Sequence, residues 1–328
     1  MAAVLWAGGE DIDFPNGTLP LTVSSSYYRS GYARCSIYQG NTSNTTSAST
    51  LSFSGGAVTT CWLHAQGHVA APSASKQFIG LGLNSAAQVA IAIGSSGSSP
   101  SQTALWKYSG GAWTQLAAET GNSLPASSIF AIDVNVQNFG SAATVYVYIN
   151  GTLVITYAGS TAVTGVSNLD CVCLIGNGVE FNCSEIIVTD TLDTRAMSVL
   201  TAAPNAAGDT NNWTGTYTNI NPTTINDSSV ISVDTTGADF QANVIDLPAG
   251  TFSVPAVKVS ARAEVTSGAV PTGIKLGVRI SSVNYLDTAH TLTNAFAPYE
   301  RLMTTNPATS AAWAQSDIDP LQLALESA

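Results

Sequence analysis

Apolar and polar positions alternate with period two along most of this chain, the signature of strands with one face in a core. The clearest stretch is 129–157. Phe130, Ile132, Val134 and Val136 alternate with Ala131, Asp133 and Asn135, and then Val145, Val147 and Ile149 alternate with Tyr146 and Tyr148. Asn150-Gly151 predicts a type I′ hairpin, because both central residues need positive φ. Leu153, Ile155 and Tyr157 continue the returning strand. Upstream, Gln77–Leu83 and Gln88–Gly94 predict a strand pair, and Ala104–Tyr108 and Ala112–Leu116 flank a Gly110-Gly111 turn. Together these predict an antiparallel meander.

The alternation lapses over the connector Asp190–Gly208, which sets a domain boundary at residues 195/196 and predicts domains 1–195 and 196–328. A second β block begins near Trp213. Val257, Val259, Ala261, Ala263 and Val265 point one way; Lys258, Ser260, Arg262 and Glu264 point the other. Leu276, Val278 and Ile280 repeat the scheme with Lys275 and Arg279 outward, which predicts a basic row of Lys258, Arg262, Lys275 and Arg279 on a solvated face. Ser316–Pro320 reads as a helical turn, and Leu321, Leu323 and Leu325 as a closing strand. The predicted fold class is all-β, two successive antiparallel β-sandwiches.

Composition narrows the function. The 328 residues hold only 10 basic and 21 acidic side chains and 3 His, yet 45% are of hydrophobic type. Acid–base and nucleophilic catalysis needs clustered ionisable groups, so the composition favours a structural chain that covers its surface with neighbours. The net charge of −11 disfavours nucleic acid and anionic membrane surfaces as partners. No apolar run approaches a membrane span. MAAVLWAGGEDIDF lacks the basic region and long apolar run of a secretory signal, so folding in a cytosol is expected. Cys35, Cys61, Cys171, Cys173 and Cys183 are odd in number and fit no disulfide scaffold; reduced core thiols are the reading.

Residues 1–190 resemble a concanavalin A-like (laminin G-like) jelly roll. The features are CWLHAQGHVAA at Cys61, FIGLGLN at Phe78, WTQL at Trp113, VYVYINGTLVITY at Val145 and EIIVTD at Glu185. Over nearly the whole chain, the opening LWAGGEDIDF and YRSGYARCSIY, the junction SEIIVTDTLDTRAMSVLTAAPNAAGDTNNWTG, and the end VPAVKVSARAEVTSG…YERLMTTNPATSAAWAQSDIDPLQLALES resemble structural proteins of tailed bacteriophages. That resemblance implies a lectin-like sandwich followed by a second β-sandwich in a virion component, and supplies no catalytic residue. It implies a virion component assembled in the host cytoplasm without saying which one; the expected partners are other virion proteins and the chain itself, a trimer being the first expectation, and the expected place is the tail, tail tip or fibre, where a lectin-like domain contacts host-surface polysaccharide. Alternatives are a head decoration or head fibre, and a glycan-binding or glycan-cleaving jelly-roll protein.

Candidate chemistry is sparse. Glu10, Asp11 and Asp13 form the densest acidic cluster, and in a strand Asp11 and Asp13 would share a face roughly 7 Å apart. The alternating carboxylates of jelly-roll glucanases are missing, so the cluster reads as a solvated segment or subunit contact. His64 and His68 have a metal-site spacing for a helix, but their string alternates as a strand, which separates the rings by roughly 13 Å. Cys171 and Cys173 share a face but lack further ligands. His290 sits in a loop-like stretch without a nucleophile elbow, and GSSGSS at 94–99 lacks the lysine of a phosphate loop. No catalytic, metal or cofactor site is expected. Aromatic rings stack on the C–H faces of sugars, and Tyr27, Tyr28, Tyr32, Trp106, Tyr108, Trp113, Tyr146 and Tyr148 are candidates; the sites named for glycan or subunit contact are Tyr108, Trp113, Tyr146 and Tyr148.

Overall fold

The computed structural model describes residues 3–8, 13, 21–30, 32–34, 36–39, 48–84, 88–175, 177–222, 225–246 and 251–328. The chain is all-β, and it divides into two compact units, Met1–Val199 and Leu200–Ala328.

Unit 1 is a jelly-roll-like sandwich of two antiparallel sheets. Its strands are β1 (Val4–Gly8), β2 (Leu21–Ser24), β3 (Ser36–Gln39), β4 (Ala48–Ser52), β5 (Cys61–Val69), β6 (Gln77–Leu83), β7 (Gln88–Ser95), β8 (Thr103–Ser109), β9 (Ala112–Ala118), β10 (Ile129–Gln137), β11 (Ala143–Ile149), β12 (Thr152–Gly159), β13 (Cys171–Ile175) and β14 (Phe181–Thr189). An eight-stranded sheet runs β12-β11-β10-β5-β14-β3-β2, with β1 also on β14; a six-stranded sheet runs β4-β13-β6-β7-β8-β9. Leu63, Ile132, Val134, Val145, Val147 and Phe181 from the first meet Phe78, Ile79, Leu81, Ile93, Leu105 and Leu174 from the second in one core. Each such side chain contributes roughly 1.5–3 kcal/mol on burial, so alternation alone commits these strands to two facing layers.

The hairpins follow their turn chemistry. Asn150 and Gly151 have φ of 50° and 76°, and Gly110 and Gly111 have φ of 61° and 83°. The meander is not continuous, however: β6–β9 lie in one sheet and β10–β12 in the other. The break falls after β9, where the Glu119 carboxylate accepts hydrogen bonds from the N–H groups of Thr103 and Ser123, both at 2.7 Å. That anchored corner carries the chain across the sandwich.

Unit 2 comprises β15 (Pro204–Asn211), β16 (Asp239–Val244), β17 (Val257–Ala263), β18 (Gly273–Ile280), β19 (Val283–Leu286), β20 (His290–Thr291), β21 (Ala297–Met303), the helical turn α1 (Gln315–Ile318) and β22 (Gln322–Ser327). One sheet runs β15-β16-β22-β18-β19, with β20 also on β18; β17 and β21 form a two-stranded second layer. Phe240, Leu276, Val278, Met303, Trp313 and Leu325 fill the space between. The Trp313 indole N–H donates to the Met303 carbonyl at 3.0 Å, so the largest ring of this core buries no unmet donor.

Two expectations need correction. The connector does not run unpaired to Gly208: Pro204–Asn211 is β15, paired with β16 through a bulged register. Its Ala, Gly and Asn side chains give no hydrophobic alternation, and backbone pairing alone makes the strand. The basic row does not exist as a row. Lys258 and Arg262 lie on β17, Lys275 and Arg279 on β18 of the other layer. Each has a carboxylate partner: Glu300 at 3.1 Å, Asp227 at 2.9 Å, Glu326 at 2.5 Å and Asp209 at 2.8 Å respectively. Among the described residues no helix is long and apolar enough to cross a membrane.

Candidate functional site

The outer face of the eight-stranded sheet is built from polar residues that alternate with core residues. On β5, Cys61, Leu63, Ala65 and Val69 face the core, so Trp62, His64, Gln66 and His68 point outward. Directly opposed residues of antiparallel strands share a face. On β10, Asn135, Asp133, Ala131 and Ile129 stand opposite those four. On β14 their partners are Thr189, Ile187, Ser184 and Asn182. Tyr146 and Tyr148 on β11 continue the rows beyond Asn135 and Asp133.

Despite facing outward, His64, His68, Asp133, Asn182 and Ser184 are buried, and two stretches of unit 1 pack on this face, over His68 and Asp133. One is 24–34. The Tyr27 ring stacks on His68 with centroids 3.6 Å apart and planes 11° apart. Arg29 donates through Nε to Glu185 Oε1 at 3.0 Å, through Nη2 to Glu185 Oε2, and through Nη2 to Ser198 Oγ at 2.6 Å. The second segment is 190–199. Thr194 Oγ1 donates to Asp133 Oδ1 at 2.8 Å, and Arg195 sits over the rings of Tyr148 (4.6 Å) and Trp62 (5.7 Å). Trp62 and Tyr148 stack at 5.8 Å. The Arg29–Ser198 hydrogen bond ties the two coverings together.

Backbone strain gathers here. Glu185 has φ 52° within a β-bulge between Ser184 and Ile187, and Tyr27 has φ 62°. A left-handed aromatic residue costs roughly 1–3 kcal/mol and persists only where its surroundings hold it; stacking on His68 and the Arg29 clamp two residues on do so.

Electrostatically the face is mixed. Asp133 Oδ1 accepts from His64 Nδ1 at 2.8 Å, which fixes the Nδ1–H tautomer and turns Nε2 toward the Gln66 amide, 3.5 Å away. Burial lowers the pKa of His68 against the opposing pull of Glu180. The Arg195 hydrogen bond holds Asp193 below the usual carboxylate range. Both ring nitrogens of His68, Asp133 Oδ2, Asn135 Oδ1 and Ser184 Oγ are buried without a hydrogen-bond partner. Each such atom costs about 1–3 kcal/mol, so one sheet face concentrates unmet polar valence beside Tyr146, Tyr148 and Trp62. Those atoms are closed off from outside; what the face presents to a ligand is the half-buried rings of Trp62, Tyr146 and Tyr148 and the exposed Arg195 guanidinium, which suit the C–H faces and hydroxyls of a sugar. The two carboxylates of the face, Asp133 and Glu185, are each buried and engaged by other side chains. Among the described residues no group of three or more His, Cys, Asp and Glu is placed to hold a metal ion.

The four aromatic candidates do not form one site. Tyr146 and Tyr148 lie on the face just described. Tyr108 and Trp113 are an opposed pair on β8 and β9 of the other sheet, with centroids 5.1 Å apart and a 56° tilt. Trp113 packs there on a small cluster of Val89, Ala92, Cys171, Cys173 and Ile175. Trp106 is buried and donates to the Ser95 carbonyl at 3.1 Å. Cys171 and Cys173 have sulfurs 3.7 Å apart, while Cys183 lies in the main core. His290 pairs with Asp287 at 2.7 Å on β20 of unit 2. In the Gly-Ser stretch, Gly97 N–H donates to Gln115 Oε1 at 2.8 Å. Glu10, Asp11 and Cys35 lie outside the described residues.

Sequence reading missed the buried polar rows. The signal was present as His-x-Gln-x-His on β5 facing Asp-x-Asn on β10, but period two separates core from outer face without saying whether the outer face meets water.

No family model matches the chain, and the search of curated proteins returns no match. Among solved structures, the carbohydrate esterase of Shiga toxin-encoding bacteriophage phi24B is similar over 58% of this chain and 100% of that chain, with 11% identity and a TM-score of 0.40. An endo-β-1,4-glucuronan lyase of the fungus Trichoderma reesei is similar over 57% and 95%, with 11% identity and a TM-score of 0.38. Domain 4 of AbnA, an extracellular arabinanase of Geobacillus stearothermophilus solved with arabinotriose, is similar over 61% and 95%, with 15% identity and a TM-score of 0.36.

Proposed function

We propose that the chain is a non-enzymatic structural component of a tailed-bacteriophage virion, tail-associated, whose unit 1 contacts host-surface glycans through the outer face of its eight-stranded sheet. The observation that carries the glycan part is the stack of Trp62 and Tyr148 under the exposed Arg195, beside the half-buried Tyr146. Rings present apolar area to sugar C–H groups, and a flanking guanidinium reads hydroxyls. The virion part is supported by the sequence resemblance over both halves of the chain. The non-enzymatic part is supported by the state of Asp133 and Glu185: both are already committed to neighbours in the fold, and general acid–base work on a glycosidic bond needs a carboxyl pair open to substrate.

The test is binding of purified protein to host capsular polysaccharide and lipopolysaccharide by calorimetry, with reducing ends measured in the same samples. Tyr148→Ala and Arg195→Ala should weaken binding about tenfold or more, the equivalent of about 1.4 kcal/mol, while Tyr108→Ala on the other sheet leaves it unchanged. Equal binding by wild type and Tyr148→Ala, or no binding to any host polysaccharide, removes the glycan reading. Release of reducing ends removes the non-enzymatic one. Densitometry of purified particles tests location: a handful of copies per particle supports the tail, hundreds the head, and absence from particles removes the virion reading.

A further inference from the structure

Four neighbouring strands, β12-β11-β10-β5, carry the part of the outer face on which Trp62, Tyr146 and Tyr148 lie. They read TLVITYAG, ATVYVYI, IFAIDVNVQ and CWLHAQGHV, and the only Asp, Glu, Lys or Arg among them is Asp133. Its side chain is 1% exposed and already engaged by His64 and Thr194. Tyr146 stands opposite Thr156 on one side and Asn135 on the other, and Tyr148 opposite Leu153. Thr156, Leu153 and Gln137 are exposed. Solvent-facing strand positions commonly hold charged residues; here the surroundings of the rings offer hydroxyls, an amide and apolar area instead.

Charges that reach this face from the covering stretches arrive as pairs. Arg195 donates through Nε to Asp193 Oδ1 and Oδ2, both at 3.0 Å, and through Nη2 to Oδ2. Arg29 is matched by Glu185 in the same two-pronged way. Beyond Thr189, which stands opposite Trp62, the chain continues with a further carboxylate, Asp190. An anionic sugar would meet a guanidinium whose charge is already matched, carboxylates beside it and a chain of net charge −11. It would also give up the hydration of its own charge with little in return.

We infer that the ligand of this face is a neutral glycan, built of hexoses, deoxyhexoses or N-acetylhexosamines and free of uronic acid, sialic acid and phosphate. The inference rests on the glycan reading and narrows it to a charge class. A neutral sugar lays its C–H face on the rings, and its hydroxyls exchange hydrogen bonds with tyrosine and threonine hydroxyls and the Gln137 amide. Arg195 Nη1, which takes no part in the pair with Asp193, remains to donate to a sugar oxygen.

The test is a panel of immobilised bacterial polysaccharides probed with the full chain. Neutral polysaccharides stand beside uronic-acid-bearing ones, and each of the latter is also presented after carboxyl reduction, which turns its uronic acids into neutral hexoses. Neutral and carboxyl-reduced forms should bind, the reduced form about threefold or more tighter than its acidic parent. Their affinity should change less than about twofold between about 0.01 M and about 0.15 M salt, over which the screening length falls from about 30 to about 8 Å. Asp193→Asn unties the guanidinium and should raise affinity for the acidic parents about twofold or more. An acidic parent that binds as tightly as its reduced form overturns the inference. So does an affinity that falls about threefold or more across that salt range, or an Asp193→Asn variant that gains nothing for acidic parents. If Tyr148→Ala still abolishes binding in those cases, the glycan reading stands and only its charge class fails. Binding untouched by Tyr148→Ala, or none to any polysaccharide, overturns the glycan reading itself and this inference with it.

Discussion

Replacing Arg29 by alanine strips Glu185 of its cation while the carboxylate stays where the bulge puts it. Glu185 is 1% exposed, and two of its hydrogen bonds come from Arg29. Stranding a fully buried charge costs about 3–5 kcal/mol. The Arg29 side chain is 37% exposed, however, so water can enter the vacated space and screen the carboxylate. Discounted for that access, the expected loss is about 2–3 kcal/mol. For a unit of this size each kcal/mol lowers Tm by about 2–4 °C, which puts the shift at roughly 4–12 °C in calorimetry. Arg29→Lys keeps the charge but not the two-pronged geometry and should lose about half as much. Arg29→Ala combined with Glu185→Gln removes the stranded charge and should recover part of the loss, giving a favourable coupling in a double-mutant cycle. A Tm within about 1 °C of wild type for Arg29→Ala, or no recovery in the double variant, would refute the claim that this pair holds the stretch around Tyr27–Arg29 on the sheet.

Acid should weaken the fold in two stages. Burial lowers the folded pKa of His68, so the unfolded chain binds the proton more readily; stability is complete above about pH 6.5 and falls as pH drops below that unfolded value. Asp193, Asp209 and Asp227 have lowered pKa values from hydrogen bonds to Arg195, to Gln322 and Arg279, and to Arg262, and their share is lost only as pH falls below about 4. Melting curves between pH 8 and pH 5 should show the first stage in wild type and a flatter profile in His68→Gln; equal slopes would contradict the assignment. Gly94→Ala should destabilise unit 1 by about 1–3 kcal/mol or more, because a Cβ there would lie 1.8 Å from the Lys76 carbonyl oxygen and 2.8 Å from the Gln77 Cα, both backbone. Urea unfolding measures it, and a wild-type midpoint would show that β7 can shift.

The strands were legible wherever side chains alternate strongly, as in β10, β11 and β22, and the Asn150-Gly151 and Gly110-Gly111 turns were legible because glycine and asparagine announce positive φ. The turn between β18 and β19 was not: Ser281 and Ser282 adopt φ of 47° and 69°, a geometry their side chains do not advertise. Strand β15 escaped for the opposite reason, since its small residues pair through backbone alone. The site was half legible. Tyr146 and Tyr148 stood out as aromatics on an outer face, but their separation from Tyr108 and Trp113 depends on which sheet each strand joins, a long-range fact set at the Glu119 corner. The covering of His64, His68 and Asp133 depends on segments far away in sequence, Tyr27–Arg29 and Thr194–Ser198, and local periodicity carries no trace of it.

The sulfur atoms set a practical property of the molecule. Cys61, Cys171, Cys173 and Cys183 are all buried as free thiols, and burial pushes Cys61 up to about 12 and raises Cys183 as well, while Cys171 is raised foremost by its hydrogen bond to Cys173. Thiols held protonated are poor nucleophiles. Cys61, Cys171 and Cys183 should therefore ignore a passage from reducing to oxidising surroundings, and a cysteine introduced on the surface would react with maleimide dyes ahead of them.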